Sequence, residues 1–421
     1  MFMRLSLAVV AGLLAAATSL YSPAFAGENS VLQIIVSKET QSLTVYENGK
    51  PVATSNVSTG KAGHTTPAGI FSILEKQKFH RSNLYDDAPM PFMQRITWSG
   101  VALHESNHVP RYPASHGCVR MPRAFAKELY GMTARGTHVI ISEAPVTPAP
   151  ISHPVLFNLD RPVQMLSDAT LRPTVSLDGK APVEVAMNGP VTGSLPKPET
   201  VASPLPDVAP LRILITWRSK ADDTRDAQAL LSELGYDVGL PDGLIGRKTV
   251  DAVNQFKTAH QIGPQPELLS DAVLKALYEA AGKQAPPRGQ IIARQNFAEV
   301  FSAPIDIRDP EMALGTHFFE VIGVDPANGA AEWNALTLPN HLPEKTMKRL
   351  GLQSEADASA PDAAKRMLDR ISIPDDIREK IAAMVVPGLS LTIADTGYEM
   401  NTGPGTDFVT TVRQSPASKG G

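Results

Sequence analysis

Cysteine is almost missing from this chain: Cys118 is the only one in 421 residues. No intrachain disulfide can form, so packing alone must hold the fold, as it can in domains above roughly 100 residues. After residue 26 no hydrophobic run approaches the roughly 20 residues that a bilayer span needs. Charge of one sign is also lacking. A net charge of −4 and a pI near 6.2 exclude a general nucleic-acid binder.

The N-terminus reads as an export signal covering 1–26. Arg4 supplies the positive charge, Leu5 to Leu20 is mostly apolar, and Ala24-Phe25-Ala26 is a small-x-small cleavage site. An uncleaved anchor is the alternative. No cysteine stands at the cleavage point, which excludes a lipoprotein. The 395 residues after Ala26 suffice for two or three domains. An exported chain pairs its cysteines or dispenses with them, so one unpaired thiol in Ser115-His116-Gly117-Cys118-Val119-Arg120 reads as a nucleophile.

The composition predicts a multidomain protein. Residues 29–143 are β-rich, with strands expected at 31–36, 43–46, 51–57, 70–74, 101–104 and 137–141. Asn48-Gly49 marks a tight hairpin turn. A helix is expected from Pro122, with Phe125, Ala126 and Leu129 on one face and Gly131 as its stop. Residues 144–210 hold thirteen of the 36 prolines and read as a semi-rigid connector, with a strand or two around 174–187. Residues 211–283 are helical, with amphipathic patterns at 226–235 and 247–261 and a cap at Ser270. Residues 284–421 are mixed α+β: strands at 297–307, 317–324, 389–394 and 408–412, helices at 363–371 and 375–384. Two stretches echo each other weakly, Pro67-Ala68-Gly69-Ile70-Phe71-Ser72-Ile73 and Ala313-Leu314-Gly315-Thr316-His317-Phe318-Phe319. The second has no cysteine, so a duplicate there is non-catalytic. The turn-rich, polar stretch 401–407 reads as a surface loop, with a binding loop as the alternative.

Around Cys118 the residue types fit thiol catalysis. A free thiol is only a few per cent ionised at neutral pH, and a nearby base or a helix N-terminus raises that fraction. His104 closes an apolar strand and faces the thiol once the loop folds back. Cys118 lies four residues before Pro122, just ahead of a helix start. Gly117 permits tight packing, and the Cys118 amide is a candidate oxyanion donor. Three other readings stand beside this one. Cys118 is a buried small hydrophobe; or His104, His108, His116 and Cys118 bind zinc, although no recognisable ligand pair is present; or Ser115 with His116 imitates a serine hydrolase, which adjacent residues serve badly.

The order of these motifs resembles the L,D-transpeptidase catalytic domain, also called YkuD. A strand-ending histidine is followed after thirteen residues by Ser-His-Gly-Cys-Val-Arg. Upstream, Ser58-Thr59-Gly60-Lys61 and Thr66-Pro67-Ala68-Gly69-Ile70-Phe71 match the family's Thr-Gly…Thr-Pro-x-Gly-x-Phe segment, and Met90-Pro91-Phe92 and Gly100-Val101-Ala102-Leu103-His104 match the approach to the histidine. The similarity covers about 31–143. Glu105 departs from the glycine or serine usual after that histidine; its carboxylate either raises the imidazole's pKa or points to solvent. The resemblance implies a periplasmic enzyme without a cofactor. Cys118 attacks the third residue of a peptidoglycan tetrapeptide stem, releases D-alanine and passes the acyl group to an amine. His104 carries the protons, His116 is the alternative base, Arg120 holds a substrate carboxylate or a loop salt bridge, and Ser115 and Gly117 shape the loop.

Residues 226–280 resemble a small helical peptidoglycan-binding domain, through Asp242-Gly243-Leu244-Ile245-Gly246-Arg247-Lys248-Thr249 and the following Ala252-Val253 and Phe256. Ile245 replaces the usual aromatic. An ordinary three-helix bundle explains the packing equally well; wall binding adds a tether that raises the local stem concentration. The expected function is therefore peptidoglycan cross-linking or remodelling. The alternatives are a cysteine carboxypeptidase or endopeptidase, a ligase joining outer-membrane protein to the wall, and a non-catalytic wall-binding scaffold.

Overall fold

The computed structural model describes residues 30–82, 87–160, 208–325, 327–396 and 405–414. The expected signal peptide, the strands around 174–187 and residues 401–404 of the turn-rich loop lie outside these residues. No helix among the described residues is long and apolar enough to cross a membrane.

The first domain is built from β1 (Leu32–Ser37), β2 (Ser42–Glu47), β3 (Lys50–Asn56), β4 (Ala68–Ser72), β5 (Glu75–Gln77), β6 (Met93–Arg95), β7 (Ala102–Glu105), β8 (Val119–Met121), α1 (Arg123–Met132) and β9 (His138–Ser142). Asn48 and Gly49 take the positive φ angles (47° and 75°) that the β2–β3 turn requires. Pro122 precedes α1 as its N-cap, and Gly131 lies inside the helix, not beyond it. β5, β6, β7 and β8 form a small sheet of their own. Between this sheet, α1 and the larger sheet lies one core that includes Ile34, Val36, Phe71, Leu103, Val119, Met121, Ala126 and Leu129. Each of these residues is 0% exposed.

Beyond it run β10 (Ala149–Ile151), β11 (Arg212–Trp217), α2 (Lys220–Glu233), α3 (Arg247–Ala259), α4 (Asp271–Ala280), β12 (Gly289–Gln295), β13 (Ala298–Ile307), β14 (Thr316–Val324) and β15 (Ala331–Leu338). The chain ends with α5 (Glu344–Leu350), α6 (Ala363–Asp369), β16 (Ile371–Ser372), α7 (Asp375–Ala382), β17 (Ser390–Ala394) and β18 (Thr410–Val412). The three helices α2–α4 enclose Leu231, Val253, Phe256, Val273 and Leu277. α2 starts earlier than the apolar pattern shows, because Ser219 and Asp222 form a reciprocal capping box.

The domain limits differ from the sequence expectation in three places. β11, within the stretch read as helical, pairs antiparallel with β12 and parallel with β17. It is a central strand of an eight-stranded sheet ordered β10-β15-β14-β17-β11-β12-β13-β16. Leu156, Phe157 and Leu159, from the proline-rich connector, are buried in the core of that sheet. β18 leaves the last domain and pairs with β4, giving the first domain a sheet ordered β18-β4-β9-β1-β2-β3. The helical unit is thus an insertion between two neighbouring strands. Apolar pattern reports burial but not which sheet does the burying, which is why such limits escape a reading along the chain.

Candidate active site

The small sheet sets the site by alternation. β7 and β8 run parallel with Leu103 opposite Val119 and His104 opposite Arg120. Successive side chains of a strand point to opposite faces. Leu103, Val119 and Met121 therefore enter the core, while Ala102, His104, Cys118 and Arg120 share the other face. That face, with Met93 and Arg95 of β6, lines a cleft of about 390 Å³.

The loop that carries the thiol is pinned by both upstream motifs. Thr66 Oγ1 accepts a hydrogen bond from the Gly60 amide and donates to the Gly117 carbonyl, each at 2.8 Å. The Ser115 amide donates to the Thr59 carbonyl and the Lys61 amide to the Ser115 carbonyl. Gln41 in turn holds Thr59 through both its amide oxygen and nitrogen. Gly60 admits no side chain, since a Cβ there would stand 2.0 Å from the His64 carbonyl oxygen. Gly117 is required for its backbone: its φ is +117°, and a Cβ would meet nothing nearer than 3.9 Å. The Ser115 hydroxyl donates to the Cys118 carbonyl and accepts from the Gly117 amide, so it closes the turn at the cleft wall.

The thiol and the imidazole both rest uncharged. Cys118 packs against Met90, Met93 and Ala102, and its thiol donates to the Gly100 carbonyl at 3.6 Å. Burial pushes its pKa up; a backbone hydrogen bond from Ala102 and the charges of Arg120 and Arg95 work in the other direction. His104, 8% exposed, is lowered to about 4 by burial. Its Nδ1 lies 2.7 Å from the Glu105 carbonyl oxygen. A carbonyl only accepts, so Nδ1 carries the hydrogen and Nε2 keeps a free lone pair. The expectation of an ionised thiol at the helix start is not met. β8 separates Cys118 from α1, and the influence of a helix end fades within its first turn.

The remaining expected residues divide clearly. Arg120 lies in the cleft, and no carboxylate among the described residues pairs with it. His116 is exposed at the cleft's edge and meets His64 edge-on, ring centroids 4.8 Å apart. What burial it has, with Lys61, His64 and Arg120, lowers its pKa. Glu105 touches the imidazole through its backbone carbonyl, not its carboxylate. The carboxylate is 6% exposed and lies 3.4 Å from Arg123, and its Oε2 is buried without a partner. Residues not foreseen are Gln41, which supports Thr59, and His80 and Arg95, which line the cleft. Arg95 is held by Glu75 at 2.8 Å. No local pattern marks these three, because each reaches the site through strand pairing or a distant loop.

Residues 32–141 match the model of the L,D-transpeptidase catalytic domain. Residues 220–264 match the model described as "Putative peptidoglycan binding domain". No curated protein matches the chain. Among solved structures, an L,D-transpeptidase from Mycobacterium smegmatis is 23% identical over 27% of this chain and 59% of its own, with a TM-score of 0.26. One from Stackebrandtia nassauensis is 29% identical over 28% and 58%, also at 0.26. One from Xylanimonas cellulosilytica is 31% identical over 27% and 61%, at 0.24. This chain spans about three-fifths of the length of these proteins. The motif resemblances and the two domain models agree: the chain combines a β-rich domain like the L,D-transpeptidase catalytic domain, a helical peptidoglycan-binding-type domain and a mixed α+β domain.

Proposed function

We propose that this protein is an exported L,D-transpeptidase that forms a thioester between Cys118 and a peptidoglycan tetrapeptide stem and transfers the acyl group to an amine. The observation that carries the reading is the shared cleft face of β7 and β8, which holds a thiol and an imidazole with a free Nε2. Because both groups rest neutral, the thiol is activated as it attacks. Its proton passes to His104 Nε2 while sulfur bonds to the carbonyl carbon of the third stem residue, a meso-diaminopimelate. His104 then protonates the departing amine of D-alanine. In the second half an acceptor amine attacks the thioester, gives its proton to His104, and the sulfur recovers it. The backbone amide of Cys118 serves the oxyanion, and Arg120 receives a substrate carboxylate in its guanidinium fork. His116, turned to His64, orients the loop and is not the base.

The family of residues 32–141 and the wall-binding type of residues 220–264 both support a peptidoglycan substrate. In this reading the mature chain works in the periplasm after cleavage near Ala26. Purified protein incubated with tetrapeptide muropeptides tests the proposal by product mass. A cross-linked dimer with loss of D-alanine is expected. Tripeptide monomers alone would make water the acceptor and the protein a carboxypeptidase. No change in mass would end the catalytic reading in favour of a wall-binding scaffold. His104→Ala is expected to abolish turnover and leave binding to isolated cell wall intact.

A further inference from the structure

The last domain repeats the catalytic sheet. One sheet is ordered β18-β4-β9-β1-β2-β3 and the other contains β15-β14-β17-β11-β12-β13. In both, the middle pair is parallel, β1 with β9 and β11 with β17, and every other neighbour is antiparallel. The irregularities coincide as well. The β2–β3 ladder shifts register between Val45 and Tyr46, and the β12–β13 ladder shifts between Ala293 and Arg294. Both hairpins turn on two residues of positive φ, Asn48-Gly49 and Asn296-Phe297. Such details are set residue by residue and do not follow from a shared strand order.

The match extends through the catalytic loop. β8, Pro122, α1 and β9 follow one another as do β16, Pro374, α7 and β17. Ser58 pairs antiparallel with Arg120, as Asp306 does with Ser372. Four residues before each proline stand Cys118 and Arg370. The guanidinium of Arg370 is buried and donates to the carbonyls of Arg308, Asp309, Met312 and Ala313. Where one copy presents a thiol to a cleft, the other ties down its own loop. The ladders place Ile70 against Ile140 and Phe318 against Thr392, so Gly69 corresponds to His317. The sequence echo is thereby corrected by two residues.

The copies lie back to back. Ile35, Tyr46, Ile70 and Ile140 of the first sheet share one apolar cluster with Phe318, Leu336 and Leu338 of the second. Beside it, His138 Nδ1 meets Glu320 at 2.7 Å, and its other nitrogen meets the Ser390 hydroxyl at 3.4 Å. His138 and Ser390 are matched positions, since each opens the parallel ladder with its central strand, at Gln33 and Arg212, and these two residues face the matched register shifts at Tyr46 and Arg294. A matched pair meeting across an interface is the signature of an approximate twofold axis. β18 completes the exchange: Thr410 lies beside Ile70 as Leu336 lies beside Phe318. Val409 is buried in the catalytic core, and a Cβ on Gly69 would stand 2.0 Å from the Thr410 carbonyl oxygen.

We infer that the last domain is a second, thiol-less copy of the catalytic sheet that acts as the first copy's fixed partner, covering its outer face and returning β18 to fill the place that β15 holds in the second. Hydrogen exchange on the full chain tests this without reference to activity. In a denaturant series, amides of β1, β4 and β9 are expected to open together with those of β11, β14 and β17. Opening of the second set while the first stays protected would overturn the inference. Thr410→Pro and Thr411→Pro, made separately in the full chain, add a local test. Neighbouring amides on an edge strand point alternately at the ladder and away from it. One of the two variants should therefore speed exchange at Ile70 and Ile140 at least tenfold, and the other should change it little. Unchanged exchange in both would show that β18 is dispensable to the catalytic sheet and would overturn the completing role.

Discussion

Lowering the pH should destabilise the last domain through one buried imidazole. His317 is 2% exposed; its Nδ1 meets the Thr337 hydroxyl at 2.9 Å and its Nε2 the Leu314 carbonyl at 3.1 Å. The carbonyl accepts, so Nε2 carries the hydrogen and Nδ1 accepts from Thr337. A second proton would have to displace that bond in a dry site, which is why burial lowers the pKa from 6.5 to about 4. The sign follows from proton counts. Between pH 6.5 and 4 the unfolded chain binds a proton that the folded chain refuses, so stability falls as pH falls through this window. At about 1.4 kcal/mol per pH unit, the loss from pH 7 to pH 5 is about 2 kcal/mol. Urea unfolding can be followed by Trp217 and Trp333, both buried in this domain, with indole nitrogens bonded to Asp395 and the Phe157 carbonyl. The wild type should lose about 2 kcal/mol more than His317→Gln over that interval. Equal losses in the two proteins would show that His317 is already protonated at neutral pH or is not held dry, and the reasoning would fail.

Three further outcomes follow from the site. Thr66→Val removes the hydroxyl that joins Gly60 to Gly117 and should cost about 1–3 kcal/mol of stability, with acylation of Cys118 slowed by at least tenfold; Thr66→Ser should restore most of both. Arg120→Ala should raise KM for stem peptides and, by removing a charge that favours the thiolate, move iodoacetamide labelling of Cys118 to higher pH; a kcat loss at unchanged KM would remove Arg120 from substrate binding. Labelling of Cys118 by iodoacetamide should climb through a midpoint above that of free cysteine, because the buried thiol is hard to ionise; a plateau reached below pH 8 would show a thiolate at rest.

Much of the catalytic domain is legible in its letters because its strands are short, apolar and separated by turn chemistry. Asn48-Gly49 fixes one hairpin, and the apolar run before His104 marks β7. Cys118 and His104 stand out because each sits in a motif of unusual composition. The supporting residues do not: Gln41 reaches Thr59 across 18 residues, and Arg95 reaches the cleft only because β6 pairs with β7. β11 was hidden beside the helices that follow it, and β15 because Trp333, Asn334 and Ala335 are all buried and break the expected alternation. The repeat was visible as a faint echo around Phe71 and Phe319, but the case for it rests on strand pairings such as Gln33 with His138 and Arg212 with Ser390, more than a hundred positions apart. Side-chain pattern carries no record of such partners.

The helical insertion leaves β11 at Trp217 and returns at Gly289, and these two residues are register partners in one ladder. Arg218 braces the exit, bonding both Gln290 beyond the return and Asp226 on α2. A module hung on a single linker wanders like a bead on a thread, and its effective concentration falls with tether length. Gripped at both ends of a single rung, this one has no slack to lose, so the helical unit faces the rest of the molecule from a set direction.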